Sequence, residues 1–291
     1  MKPTKMYNQK KNLKPILGID LGGTNVRCGR LVGNELEEIR AIGVSAGAAA
    51  DVVLNEVFGL IEQLLPAGPI EAIGVGVPSV VDAEEGVVYD VQNIPSWKEV
   101  RLKAILEDRY KVPVFINNDA NCFALGEKCF GLGTGVESMV GLSIGTGLGA
   151  GIIIHNRLYS GTNCGAGEFG MINYLDRCFE YYASGQFFLN VYGISGELVY
   201  ERAKAGNSEA LEMYEVLGGH LGNAIKAMMY AYDPTLIVLG GSVSAALPYF
   251  ESTMWQQLRD FAYPKSVEKL DIKLSTLKHA GVFGAAALCL A

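Results

Sequence analysis

The chain has 291 residues, 49% of them hydrophobic, with 36 glycines and a formal net charge of −7 at pH 7. That length allows one large domain or two packed lobes around a sizeable core. The acidic balance argues against nucleic acid as the main partner, which would call for a basic face, and no run approaches the roughly 20 apolar residues that span a bilayer.

The opening MKPTKMYNQKKNLKP is basic but leads into no apolar signal-peptide core, so residues 1–14 are expected to form a flexible, solvated tail. ILGIDLGGTNVRCGRLV (16–32) places two β-branched runs around Gly22-Gly23, the pattern of a hairpin with a polar tip, and LEEIRAIGV continues as a third strand. Residues 51–65 have helical spacing, and EAIGVGVP (71–78) returns as a buried strand. Ser96 offers an N-cap for a helix running to about Tyr110. VPVFI (112–116) is a further buried strand, and NNDANCFALGEKCFG turns from strand end into helix.

A second hairpin pattern follows in SMVGLSIGTGLGAGIIIHNRLY (138–159), its glycine turn carrying Thr146. The last third is mostly helical. Asn207 or Ser208 starts a long helix that ends near Asp233-Pro234, and MMYAY (228–232) reads as core. TLIVLGGSV (235–243) is a buried strand opening into a helix at Ser242, DIKLSTL is another strand, and GVFGAAALCLA is a buried terminal helix. The two glycine hairpins suggest an internal duplication. The expected architecture is two related α/β lobes facing a central cleft, 15–117 and 118–291, with the last helix (about 280–291) able to pack back on the first lobe.

Three glycine turns could carry chemistry: Asp20-Leu21-Gly22-Gly23-Thr24, Gly145-Thr146-Gly147 and Gly240-Gly241. Only glycine lets successive backbone N–H groups come close enough to an anion to form a phosphate nest. Together the turns point to a nucleotide site, and Asp20 suits a hydrated Mg²⁺, which takes oxygen ligands. No G-x-x-x-x-G-K-[ST] is present. The G-x-G-x-x-A match at 145–150 runs into a strand instead of the helix a dinucleotide fold requires. Asp119, where VPVFI gives way to a helix, can serve as an N-cap, as a general base facing the cleft, or as both.

The three histidines, His155, His220 and His279, show no ligand spacing and read as structural or exposed. The six cysteines include no C-x-x-C pair and read as reduced thiols of a cytoplasmic protein.

Taken in order, ILGIDLGGTNVRCG, INNDANCFALGE, GLSIGTGLGAG, GAGEFG, CFEYYASG and DPTLIVLGG resemble the ROK family (repressor, open reading frame, kinase) from about residue 15 onward. The resemblance implies the two-lobed, actin-like, ribonuclease H-like ATPase fold. It also implies transfer of the ATP γ-phosphoryl group to a hydroxyl of a hexose, glucose favoured, or of an N-acetylhexosamine. By position, Asp20, Gly22, Gly23 and Thr24 match the first phosphate turn, with Asp20 near Mg²⁺ through water. Gly145, Thr146 and Gly147 match the second turn, and Gly240 and Gly241 the turn that meets adenosine. Asn93, Asn118, Glu168 and Glu180 match sugar-binding positions, and Asp119 matches both a sugar contact and the catalytic base. The implied partners are a sugar and a second copy in a homodimer, with neither nucleic acid nor membrane.

The chain departs from the family pattern in GEFGMINYLDRCFE (167–180). Met171 stands where the family has histidine, and of the family's zinc-binding cysteines only Cys178 remains. One cysteine cannot build a tetrahedral site, so no structural zinc is expected. Apolar packing by Met171, Ile172, Leu175 and Phe179 is expected to hold Glu168 and Glu180 instead, with Asp176 solvated. Ser79 also replaces a glycine. The alternative role is a sugar-binding regulatory or catalytically impaired family member. A DNA-binding repressor is disfavoured, because about 14 residues before the first strand are too few for a helix-turn-helix.

Overall fold

A computed structural model describes residues 14–91 and 93–290; the expected N-terminal tail, apart from Lys14, lies outside the described residues. The chain begins with β1 (Ile16–Leu21), β2 (Asn25–Val32) and β3 (Glu35–Gly43), followed by α1 (Ala50–Glu62) and β4 (Ala72–Val77). The short strands β5 (Val81–Asp82), β6 (Val87–Tyr89) and β7 (Glu99–Val100) precede α2 (Leu102–Tyr110), β8 (Val114–Asn118) and α3 (Asp119–Phe130). Then come β9 (Met139–Ile144), β10 (Leu148–Ile154), β11 (Arg157–Leu158), β12 (Asn173–Tyr174) and β13 (Arg177–Cys178). Four helices follow: α4 (Phe179–Ala183), α5 (Gln186–Tyr192), α6 (Gly196–Lys204) and α7 (Ser208–Tyr232). The chain ends with β14 (Leu236–Gly240), α8 (Leu247–Leu258), α9 (Pro264–Lys269), β15 (Asp271–Leu274) and α10 (Ala280–Ala287).

These elements gather into two compact units. One takes in the chain as far as Gly135, Arg157–Ala166 and everything from Leu277; the other comprises Val136–Asn156 and Gly167–Thr276. This grouping differs from the expected division at 117 in placing residues 118–135 with the first unit. Helix α3 stays with the first unit because α10 returns to pack on it. The return depends on small residues. A Cβ on Gly126 would lie 2.2 Å from the Ala280 carbonyl, and one on Gly284 1.6 Å from the Cys122 carbonyl. On its other side α10 rests on the sheet, where a Cβ on Gly74 of β4 would lie 1.8 Å from the Ala285 carbonyl.

The sheet of the first unit has the order β3-β2-β1-β4-β8. Strand β1 runs antiparallel to β2 and parallel to β4, which is parallel to β8. In the second unit the order is β10-β9-β14-β15, with β9 antiparallel to β10 and parallel to β14, and β14 parallel to β15. The run β10-β9-β14-β15 thus repeats the topology of β2-β1-β4-β8. Their central strands AIGVGV and LIVLG are buried throughout, as parallel strands covered on both faces must be.

The 25-residue α7 buries Tyr214, Leu217, Leu221, Ile225 and Met228 at helical spacing. It is capped by Asn207, whose side chain accepts from the Ala210 amide, and it closes on Asp233 in the left-handed conformation.

Two expected boundaries move. Helix α2 begins at Leu102, not after Ser96, because Val100 is drawn into pairing with Val88; the Ser96 hydroxyl is buried without a partner. After β14 a 3₁₀ turn, Val243–Ala246, intervenes before α8, whose first turn carries Pro248. No helix among the described residues is long and apolar enough to cross a membrane.

Candidate active site

In the first unit, backbone register lines up the candidate residues. Asp20 in β1 lies opposite Gly76 in β4, which lies opposite Asn117 in β8. The parallel strands therefore end together, and the edge that carries Asp20 also launches α3. Glycine at 76 keeps the row open: a Cβ there would sit 3.0 Å from Cys122 Sγ and 3.6 Å from Asp119 Cα. Cross-strand pairing sets Arg27 against Asp20, its guanidinium 3.7 Å from the carboxylate. Desolvation raises the Asp20 carboxyl above its usual range, and Arg27 and then His279 offset that only in part. An ionised Asp20 is thus left short of positive charge. A hydrated Mg²⁺ needs little more from a protein than one such carboxylate, so the residue fits that ion.

Asn118, not Asp119, is the N-cap of α3; its side-chain oxygen accepts from the Ala120 and Asn121 amides. Asp119 is the first helical residue, its Oδ1 accepting from the Ala120 amide at 2.8 Å. The Asn118 amide group donates to the Ser79 carbonyl at 3.4 Å. Two asparagines without an assigned role brace this corner. Buried Asn117 accepts from the Asn118 amide and from Asn121 Nδ2, and donates to Ser160 Oγ. Their only signal in the sequence is the run INNDAN itself.

The first glycine turn closes with the Gly22 amide donating to the Asn25 carbonyl at 2.8 Å. Asn93 lies against it, since a Cβ on Gly23 would be 2.5 Å from Asn93 Nδ2. Thr24 is exposed and accepts from Asn25 Nδ2.

The second unit joins its two glycine turns. Gly145 donates to the Gly147 carbonyl at 3.0 Å, and its own carbonyl accepts from the Gly185 amide at 2.7 Å, leaving Thr146 exposed. Gly240 pairs with Ser143 at the end of β9. Gly241 has φ +84° and sits so close that a Cβ would lie 2.4 Å from the Ile144 carbonyl. Glu180 is tied to the same turn: its Oε2 accepts from the Leu148 amide at 2.9 Å, and a Cβ on Gly147 would be 2.5 Å from that oxygen. Glu168 is its electrostatic neighbour. Desolvation, and secondarily the Glu180 charge, pushes the Glu168 carboxyl above the usual range.

The loop between these glutamates is not held as expected. Met171, Ile172 and Leu175 are 51%, 43% and 67% exposed, and only Phe179 of the four is buried. The short β12–β13 hairpin turns Tyr174 inward instead, with Leu175 at its tip in the left-handed region (φ +54°). The Tyr174 ring stacks on Phe179 with centroids 4.4 Å apart and meets Tyr182 and His220 edge-on. Asp176 is exposed, as expected, and also accepts a hydrogen bond from the Tyr182 hydroxyl, which pushes that phenol up to about 12. Among the described residues no three His, Cys, Asp or Glu side chains group to hold a metal.

A sheet pattern occurring twice, each copy opened by a glycine-turn hairpin, defines the actin-like ATPase fold. The structure matches that of a ROK family glucokinase from Streptomyces griseus, solved with glucose and AMPPNP, with a TM-score of 0.82 and 26% identity, covering 94% of this chain and 98% of that one. The chain belongs to the ROK family, whose model matches residues 16–291. It is 28% identical to a glucokinase of Thermotoga maritima over 94% of this chain and 96% of that protein. It is also 29% identical to a xylose repressor of Caldicellulosiruptor bescii, over 94% of this chain and 77% of that protein.

Proposed function

We propose that the protein is an ATP-dependent sugar kinase that phosphorylates a hexose hydroxyl, with glucose the favoured acceptor and an N-acetylhexosamine the second choice. The observation that carries the reading is the row Asp20–Gly76–Asn117, which sets a desolvated carboxylate and the Asp119-bearing start of α3 on one sheet edge of the first unit. The glucokinases among the relatives support glucose.

In this reading the Gly22-Gly23 and Gly145–Gly147 turns present backbone N–H groups to the phosphates, and Gly240-Gly241 meets the adenosine. Asn93, Asn118, Glu168 and Glu180 hydrogen-bond sugar hydroxyls, a recognition mode that rejects analogues lacking them. Asp119 accepts the proton of the attacking hydroxyl as its oxygen bonds to the γ-phosphorus and the bond from phosphorus to the departing ADP breaks. Asp20 would hold Mg²⁺ through water, and the ion would supply charge neutralisation to the phosphates.

A coupled ADP assay across a panel of sugars tests the proposal. Sugar-dependent ADP release should appear with the native protein and fall about 10²- to 10⁴-fold in kcat in Asp119→Asn. If no sugar elicits ADP release, the kinase reading fails. The xylose repressors among the relatives motivate a second measurement: sequence-specific, sugar-sensitive retention of an operator duplex would favour a regulatory role.

A further inference from the structure

The second unit contains a joint that none of the assigned roles uses. Tyr174 of β12 and His220 and Asn223 of α7 meet through one hydroxyl. Asn223 Nδ2 donates to the Tyr174 hydroxyl at 3.1 Å and to the Gly219 carbonyl at 3.0 Å. The hydroxyl's own proton is assigned to His220 Nδ1, 3.1 Å away, a direction that follows the imidazole tautomer. Such an arrangement requires a neutral imidazole with its proton on Nε2, an assignment made from the bonding pattern. Burial favours the same form, holding His220 below its ordinary range. The ring is enclosed by Tyr174, Tyr182 and Phe187 at centroid distances of 5.7, 5.0 and 5.6 Å.

The joint bears on the site through one short path. Tyr174 stacks on Phe179, the residue before Glu180, and Glu180 accepts from the Leu148 amide beside the Gly145–Gly147 turn. Leu175 at the hairpin tip is exposed, so Tyr174 is the side chain of β12 that packs inward, while Asp176 in the turn adds the hydrogen bond from Tyr182. Tyr174 joins this loop to α7 by both ring packing and hydrogen bonds, and Phe169 adds an edge-on ring contact with Tyr232.

We propose that Tyr174, His220 and Asn223 are positioning residues that fix Glu180 for sugar binding. The inference rests on the kinase reading for its consequence, but its physical basis can be measured without turnover.

Tyr174→Phe keeps the stack on Phe179 and removes the shared hydroxyl. Loss of hydrogen bonds of this kind should raise the sugar KM about three- to tenfold while kcat changes less than about twofold. Amide exchange across residues 169–182 should accelerate, and the His220 NMR titration should move upward, because the neutral imidazole loses its donor. His220→Gln keeps an acceptor and should recover most of the affinity that His220→Ala loses, a rescue that also covers the case in which Tyr174→Phe folds poorly. If Tyr174→Phe leaves sugar KM, loop exchange and His220 titration unchanged, the positioning role is overturned. If the native protein shows no sugar-dependent ADP release, the kinase reading falls separately. The joint is then decided by exchange and titration: acceleration with an upward shift supports it, and no change removes it.

Discussion

Glu168 and Glu180 stand at the two ends of one loop but are held in different ways. Glu180 has a fixed backbone donor in Leu148, whereas Glu168 is raised by desolvation and by its neighbour's charge. A carboxyl whose folded pKa is raised opposes folding once it is ionised, and it reprotonates early as pH falls. Glu168→Gln should therefore melt no lower than the native protein at pH 7, while its sugar KM rises at least about tenfold as a charged acceptor is lost. Calorimetry and ADP-coupled kinetics check the two halves. In the native protein, sugar affinity should decline on acidification at a pH above 4.5, the ordinary value for this group. Asp20 gives a companion test: Asp20→Asn should shift half-maximal activation to roughly tenfold higher Mg²⁺, read by Mg²⁺ titration, because an amide is a poorer ligand for a hard cation.

Among the elements, α10 is the one whose composition is most tightly dictated. AGVFGAAA is a weak amphipath but a narrow rod, and it lies between the sheet of the first unit and α3 at backbone contact distance. Gly284→Ala would press a methyl into the Cys122 carbonyl and should destabilise by about 1–3 kcal/mol, measured by urea denaturation. A Cβ on Gly219, in the middle of α7, would meet nothing closer than Gln257 at 4.0 Å. Gly219→Ala should stabilise by about 0.4–1 kcal/mol in the same experiment, since the folded helix accepts the methyl and the unfolded chain loses freedom.

At the scale of the molecule, the first unit is assembled from three separate stretches of chain. Its core includes Ile16, Leu31, Phe283 and Ala286, which join the first ordered strand to the last helix. A chain ending at residue 276 should therefore lose protection in the first unit, with limited proteolysis and mass spectrometry finding new cuts within 14–135. The core of the second unit, built around Phe187, Leu217 and Phe250, contains no residue from that segment.

Much of this was legible in the residues. The two glycine hairpins, the buried parallel strands and α7 follow from local periodicity and turn chemistry, which short stretches of sequence encode on their own. The candidate phosphate turns and the acid at the start of α3 were legible for the same reason. Other features were decided only by packing between distant segments. Whether Asn118 or Asp119 caps α3 depends on where β8 stops pairing with β4, a one-residue matter of register. The unit border depends on α10 returning to the first sheet, which no local pattern near residue 117 announces. The Glu168–Glu180 loop departs from the expected apolar packing because the hairpin directs Tyr174 inward and leaves Leu175 exposed. Tyr174 and His220 are 46 positions apart, and nothing in either neighbourhood marks them as partners. By itself the sequence determined the family, the duplicated strand pattern and the glycine turns, because these arise from residues adjacent in the chain; the bracing of the glutamates was settled by tertiary structure, because a hydrogen-bonded joint exists only once two remote elements are packed together.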